Sequence, residues 1–165
     1  GLGTAWRLLD IAVKPFPICH FNHACADAAI SLNGRLAAAG IGPDRIKRIE
    51  ALVPEGVMPS VCVPIEVKRR PETDYEAKFS IPFAVAVGLL WGRLGLSELT
   101  PAAIHDPAIR SLMLRVDCIG DPQSTFPHHY TGEARLLLED GSRLADRQEV
   151  NRGHPERPLD NGDVR

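Results

Sequence analysis

The residues best suited to chemistry lie at positions 14–29, where two histidines, two cysteines, a lysine and an aspartate surround one turn-to-helix junction. Two prolines keep the first part of this stretch extended, because proline fixes φ and disfavours helix in the residue before it. The pattern then predicts a helix that begins at about His23 and is capped by Asn22. Since the N–H groups of a first helical turn attract anions, His23 is a candidate for acid–base chemistry on a carboxylate. A buried or surface histidine without a catalytic role is the alternative.

A zinc site is the second chemistry that these positions suggest. Four side chains of the ligating types are close together in the sequence: Cys19, His20, His23 and Cys25. They lack a second ligand pair at the spacing of a zinc finger, so we expect no metal here. No C-x-x-C pair occurs anywhere in the chain, and we expect all four cysteines to be reduced thiols.

The elements that must position this stretch are predicted by hydrophobic periodicity and by turn residues. Apolar spacing predicts a helix over residues 23–39, which Gly40 ends. A second helix is predicted over residues 75–94, with a break near Ser80 because Pro82 falls inside it. Two further helices should begin at the capping pairs Thr100-Pro101 and Asp106-Pro107.

Strands are predicted where apolar and polar residues alternate. The predicted strands are residues 45–53, residues 116–119, and a hairpin of residues 134–138 and 143–150 that turns at an Asp-Gly pair. Residues 57–67 are rich in β-formers but contain two prolines, which favours an edge strand or an extended arm over a central strand. Residues 1–150 should therefore form an α+β domain, with a mostly antiparallel sheet of three to four strands and two principal helices packed on one face.

Two other segments carry expectations of their own. Residues 151–165 lack apolar periodicity, so we expect an extended tail that buries no surface. Residues 84–90 are apolar on almost every side of their helix. We expect this helix to be partly covered by another domain or by a second subunit.

Composition narrows the class of protein. The 165 residues carry a formal net charge of −2, which gives no reason to expect nucleic acid as a partner. No apolar run reaches the length of a membrane span, and the first residues do not resemble a signal peptide. The prediction is a cytoplasmic protein. Because the sequence starts at Gly1 without an initiator methionine, we also expect a piece of a longer polypeptide.

Five motifs, taken in order, resemble the MmgE/PrpD family. They are K-P-F-P-x-C-x-x-x-H-x-x-x-D-A at residues 14–28, E-A-K-F-S-I-P-F-A-V-A at 76–86, D-P-A-I-R-S-L at 106–112, L-E-D-G at 138–141 and R-G-H-P-E-R-P-L at 152–159. The family includes 2-methylcitrate dehydratase, cis-aconitate decarboxylase and an iminodisuccinate epimerase. The resemblance implies a two-domain protein of which this chain is the smaller α+β domain, with an N-terminal helical domain and the last C-terminal helices absent. It also implies a homodimer, no metal or other cofactor, and an active site in the cleft between the two domains.

The same resemblance implies roles for individual residues. His23 matches the motif histidine and is the candidate catalytic residue, while Lys14, Lys78 and Ser80 are candidates for binding the substrate. The alternative role for Lys78 is that of a surface lysine, and the alternative role for Ser80 is that of a helix cap. The implied reaction is loss of water from a small di- or tricarboxylic acid, through removal of a proton beside a carboxylate. An epimerase, a decarboxylase or a non-catalytic assembly domain are the alternatives, and the A-K-F-S sequence is more similar to the dehydratase branch.

Overall fold

A computed structural model describes residues 3–4, 11–160 and 162 of the chain. Seven helices and four strands are named here. The helices are α1 (His23–Ala38), α2 (Met58–Val61), α3 (Ile65–Lys68), α4 (Asp74–Lys78), α5 (Ile81–Trp91), α6 (Pro101–Ile104) and α7 (Pro107–Met113). The strands are β1 (Ile46–Val53), β2 (Val116–Gly120), β3 (Gly132–Leu138) and β4 (Arg143–Gln148). The predicted α+β class is confirmed.

The four strands form one mixed sheet in the order β2-β1-β3-β4. β3 is antiparallel to both β1 and β4, whereas β2 is parallel to β1. The prediction of a mostly antiparallel sheet therefore holds for two of the three pairings. The parallel pairing follows from topology, since the chain between β1 and β2 crosses the sheet through α2 to α7 and returns in the same direction.

The two principal helices, α1 and α5, cover one face of this sheet. A Cβ atom on Gly88 of α5 would lie 2.8 Å from the Cβ of Ala29 of α1, and one on Gly132 of β3 would lie 2.8 Å from the Cβ of Ala24. Small residues thus allow α1 to approach both its neighbouring helix and the sheet closely.

The apolar helix α5 is buried by the chain itself. Its residues from Ile81 to Leu89 are fully or almost fully inaccessible to solvent, packed against α1, α7 and β2. The expectation that another domain or subunit covers this helix is therefore wrong: an element apolar all round is what a central helix requires.

One local prediction is also corrected. Residues 57–67, expected as an edge strand, form the short helices α2 and α3, with Pro59 in the first turn of α2 and Pro64 just before α3. Both prolines occupy positions where a helix tolerates the missing N–H. By contrast, the break at Ser80 and the starts at Thr100 and Asp106 are confirmed, since all three side chains accept backbone N–H bonds.

The segment after β4 folds back onto the start of the described chain. We call residues 151–160 the C-terminal segment. Asn151 and Gly153 are buried in it, and the N–H of Val13 donates to the carbonyl of Gly153 at 2.8 Å. The expectation that this segment buries no surface is wrong, because its buried groups are polar or backbone and leave no apolar pattern.

Within the described residues no helix combines the length and the apolar character that crossing a bilayer requires. Cys19, Cys25, Cys62 and Cys118 are free thiols.

Candidate functional site

The imidazole of His23 lies at the start of α1, after a turn of 3₁₀ helix over His20–Asn22, and is fully buried. Its Nε2 atom is 3.3 Å from the carbonyl oxygen of Ile18. Because a carbonyl only accepts, Nε2 must carry the hydrogen, and Nδ1 is the nitrogen with the lone pair. That Nδ1 atom is buried and has no hydrogen-bond partner among the described residues. The fold therefore presents an unused proton acceptor.

The surroundings of His23 keep its ring neutral. The pKa of His23 is lowered to about 3, mainly by burial and also by His20, Lys14 and Arg152, while the hydrogen bond to Ile18 acts in the opposite direction. Each of these neighbours carries or can gain positive charge. A carboxylate placed here would offset that charge and favour proton uptake by His23.

Lys14 reaches the same carbonyl from the extended stretch before the helix. Its Nζ donates to the oxygen of Ile18 at 3.3 Å, and its side chain belongs to an exposed residue. The structure thus brings together two of the predicted site residues, one a neutral base and the other a cation.

Asp27 follows His23 by one turn of α1, which places both side chains on one face of the helix. Its Oδ1 forms an ion pair with Nη2 of Arg152 at 3.0 Å. The guanidinium carbon of Arg152 lies 5.1 Å from the centre of the Phe16 ring, and Phe16 meets His23 edge-on at 5.4 Å between centroids. Asp27 therefore anchors the C-terminal segment beside His23, which gives the H-x-x-x-D spacing a structural reason.

The ring of His20 also packs against His23. Its ring lies 4.8 Å from His23 and 4.7 Å from Tyr130, between centroids. The Oδ1 atom of Asn151 accepts from the backbone N–H of Tyr130 at 3.3 Å, so its Nδ2 faces Nε2 of His20, 2.8 Å away. Nε2 is then the acceptor and Nδ1 carries the hydrogen of the neutral ring. Burial, Lys14 and His154 lower the pKa of His20.

Lys78 contributes its backbone rather than its ammonium group to this region. Its carbonyl accepts from the N–H of Cys19 at 2.9 Å and from Nδ2 of Asn22 at 3.1 Å. Its Nζ atom pairs instead with Asp74 at 2.8 Å. The predicted side-chain cap by Asn22 is wrong, because that amide ties the start of α1 to α4 and makes no cap bond. Substrate binding by Lys78 stays a prediction.

Ser80 is buried at the start of α5. Its hydroxyl donates to the carbonyl of Lys68 at 2.5 Å and accepts from the N–H of Phe83 at 3.0 Å. It serves as the helix cap, with both its hydrogen and an acceptor site in use. A further role in substrate binding stays a prediction.

One of the four residues considered for zinc, Cys25, faces the sheet. The thiol of Cys25 points to the carbonyl oxygens of Leu52, at 3.5 Å, and Glu133, at 4.0 Å, on the sheet side of α1. Burial raises the pKa of this thiol, which makes it a poor thiolate ligand.

Three residues of the cluster were not predicted as site residues: Tyr130, Asn151 and Arg152. Asn151 and Arg152 are more than a hundred positions from His23, so no local spacing could connect them. The available signal was the R-G-H-P-E-R-P-L motif, whose first residue is Arg152.

Together these residues form a compact site of mixed polarity. It combines a buried neutral imidazole, a second imidazole of fixed tautomer, an ammonium group and a guanidinium group. Such a set can bind a carboxylate and exchange one proton with it.

Comparison with known proteins places this site in context. Human cis-aconitate decarboxylase (Homo sapiens) is 30% identical over 159 residues, covering 94% of this chain and 31% of that protein. The mitochondrial 2-methylcitrate dehydratase of Yarrowia lipolytica is 30% identical over 147 residues, covering 84% of this chain and 27% of that protein. The 2-methylcitrate dehydratase of Escherichia coli K12 is 25% identical over 138 residues, covering 79% and 28%.

The chain thus spans less than a third of the length of these relatives. Residues 16–165 match the family model of the MmgE/PrpD C-terminal domain. This match includes His23, Asp27 and Arg152, and the chain belongs to the MmgE/PrpD family.

Proposed function

We propose that this chain is part of a lyase that removes water from a small di- or tricarboxylic acid, in the manner of a 2-methylcitrate dehydratase. Family membership supports lyase chemistry, and three 2-methylcitrate dehydratases of different organisms are among the relatives. The activity belongs to the longer polypeptide. We expect the chain alone to be inactive, because the remaining groups would come from a helical domain on the other side of the site.

The observation that carries this proposal is the buried Nδ1 of His23, which has a lone pair and no partner among the described residues. Removal of a proton beside a carboxylate needs such a base. His23 would accept that proton at Nδ1 while its Nε2–H stays on the carbonyl of Ile18. The resulting imidazolium would be stabilised by that carbonyl and by the substrate carboxylates.

Charge around His23 fits an anionic substrate. Lys14 and Arg152 supply positive charge on two sides, and Arg152 is already oriented by Asp27. Fixed cations stabilise the extra negative charge that develops on a carboxylate as the neighbouring carbon loses its proton. No covalent intermediate is needed, which agrees with the inward-facing thiol of Cys25.

The test is the rate of water loss from 2-methylcitrate and related acids, measured with the full-length polypeptide and with this chain. His23→Gln should lower kcat by about 10²- to 10⁴-fold, the usual contribution of a general base. His105→Gln is the matched control, because His105 lies on α6–α7 away from the cluster and should retain activity. Unchanged activity of His23→Gln, with a wild-type circular dichroism spectrum, would contradict the catalytic role and favour a domain that serves assembly only.

Decarboxylation is the second candidate, because the human relative that covers 94% of this chain is a cis-aconitate decarboxylase. Release of CO₂ from cis-aconitate distinguishes the two reactions. Exchange of a substrate proton with deuterium from solvent, without water loss or CO₂ release, would indicate an epimerase instead. We also propose a homodimer, which sedimentation of the full-length polypeptide tests.

A further inference from the structure

A second cluster of titratable side chains lies outside the site described above. His128 and His129 come from the loop between β2 and β3, and Glu156 comes from the C-terminal segment. One potential ligand atom from each residue lies within 4.8 Å of the other two. The proposed reaction uses none of these three side chains.

The spacing of these atoms matches the requirements of one metal ion. Nε2 of His129 is 3.2 Å from Oε2 of Glu156, and Nε2 of His128 is 3.8 Å from Oε1. Ligands held about 2.0–2.1 Å from a tetrahedral ion lie about 3.4 Å apart. These two separations bracket that value, and all three ligand atoms lie within 4.8 Å of one another, so side-chain adjustments would bring them around one ion.

A neighbouring hydroxyl sets the ring of His129 for this role. Nδ1 of His129 is 3.2 Å from Oγ1 of Thr125. Because a carboxylate only accepts, Nε2 carries the hydrogen in the bond to Glu156, and Nδ1 accepts from the hydroxyl. When Nε2 binds an ion instead, the neutral ring would carry its hydrogen on Nδ1 and donate it to Oγ1 of Thr125, which can accept as well as donate. Metal-binding histidines are commonly oriented by such a bond from the other ring nitrogen.

The backbone of Glu156 is oriented as well. Its N–H donates to Nδ1 of His154 at 3.2 Å, and the ring of His154 lies edge-on to His129, 5.0 Å away. Nδ1 of His154 therefore already accepts a hydrogen bond. His154 supports the cluster through this bond and is not one of the three proposed ligands.

Simple ion pairing explains the cluster less well. The side chains of His128 and Glu156 are 73% and 55% exposed, and exposed pairs stabilise little. A divalent ion would satisfy all three groups at once.

We propose that His128, His129 and Glu156 bind one divalent transition-metal ion of the zinc type. Two imidazoles and one carboxylate suit zinc and its neighbours, whereas magnesium and calcium favour oxygen ligands only. The ion would connect the β2–β3 loop to the C-terminal segment. Those two segments carry Tyr130 and Asn151, which hold His20 in the candidate active site.

The experiment is a titration of the purified chain with Zn²⁺ in competition with a chromophoric chelator at pH 7.5. Wild type should bind one equivalent. His129→Gln, His128→Gln and Glu156→Gln should each weaken binding by about tenfold or more, because loss of even an outer partner has that effect. Since His128 is largely exposed, its variant should fold even where another does not.

His105→Gln is the matched control, because His105 also lies beside a glutamate, with Nδ1 3.9 Å from Glu72, but has no second histidine there. Its affinity should equal that of wild type. Addition of Co²⁺ should give the intense visible bands of a tetrahedral site, and excess Mg²⁺ should not displace it. Absence of stoichiometric Zn²⁺ binding, or equal affinity of wild type and His128→Gln, would overturn the proposal.

Discussion

Lys14 Nζ and His23 Nε2 lie at the same distance, 3.3 Å, from one acceptor, the carbonyl oxygen of Ile18. The shared carbonyl fixes the tautomer of His23 and holds a positive charge beside it. It therefore joins the extended stretch before α1 to the first turn of that helix. The predicted base and one predicted carboxylate ligand are parts of a single local structure.

Replacing Lys14 should change the titration of the neighbouring histidine. Lys14 lowers the pKa of His20, so Lys14→Met should raise it, because a like charge has been removed. NMR titration of the histidine Cε1–H signals of the chain measures this change. Lys78→Met is the matched control, since the ammonium group of Lys78 pairs with Asp74 and should leave His20 unaffected. Equal changes in the pKa of His20 in the two variants would mean that Lys14 affects His20 no more than Lys78 does.

His23 should make stability depend on pH. Its pKa is about 3 in the folded chain and about 6.5 when unfolded. Between these values the unfolded state binds the additional proton, so the free energy of unfolding falls as pH decreases, by about 1.4 kcal/mol per pH unit. Above about pH 7.5 both states are neutral and His23 contributes no slope. Urea denaturation between pH 7.5 and 5 measures the slope.

His23→Gln should flatten this dependence by one proton. The interval stays above pH 5 so that carboxylates contribute little. If His23→Gln keeps the wild-type slope, the pKa of His23 is not lowered in the folded chain, and the prediction is contradicted.

Local chemistry explains which elements were predictable. The break at Ser80 followed from a serine before Pro82, and the starts of α6 and α7 followed from capping residues before proline. In residues 57–67 the prolines led to a wrong prediction, because proline fits either an edge strand or a first helical turn. There the pattern of β-branched residues was outweighed by the packing of Val57 and Val61 into the core.

Contacts between residues that are far apart in the sequence could not be predicted from local patterns. The parallel pairing of β1 with β2 depends on how the intervening helices return the chain, which no strand sequence records. In the candidate site, Lys14 and His23 were predictable partners because nine positions separate them around one turn. The contacts of His20 with Asn151 and of Asp27 with Arg152 join opposite ends of the chain, and only a family motif pointed to them.

Ser80→Ala should destabilise the chain through the start of α5. The substitution removes the cap on the N–H of Phe83 and leaves the carbonyl of Lys68 without its donor, at a cost of about 1–2 kcal/mol. Ser60→Ala, at an exposed serine of α2, should stay within about 0.5 kcal/mol of wild type. Urea denaturation compares them. In the full-length polypeptide, a raised KM for Ser80→Ala with unchanged stability would instead support direct substrate binding.

Gly153→Ala should separate the C-terminal segment from the candidate site. Gly153 has φ of +87°, and an added Cβ would overlap the carbonyl oxygen of Val13, whose N–H donates to the carbonyl of Gly153. Gly141 also has φ of +87° but has no atom within 4 Å of such a Cβ. In both variants the left-handed backbone should lower the free energy of unfolding by about 1–2 kcal/mol. Gly153→Ala should lower it further, because only its Cβ clashes with Val13.

Because Gly153 follows Arg152 directly, its displacement should also move the partner of Asp27 away from His23. We therefore expect Gly153→Ala to lose more stability than Gly141→Ala by urea denaturation. In the full-length polypeptide we expect at least a tenfold lower kcat/KM, about 1.4 kcal/mol of transition-state stabilisation, with Gly141→Ala close to wild type. Equal stability and activity in the two variants would mean that the contact between Val13 and Gly153 does not hold Arg152 in place.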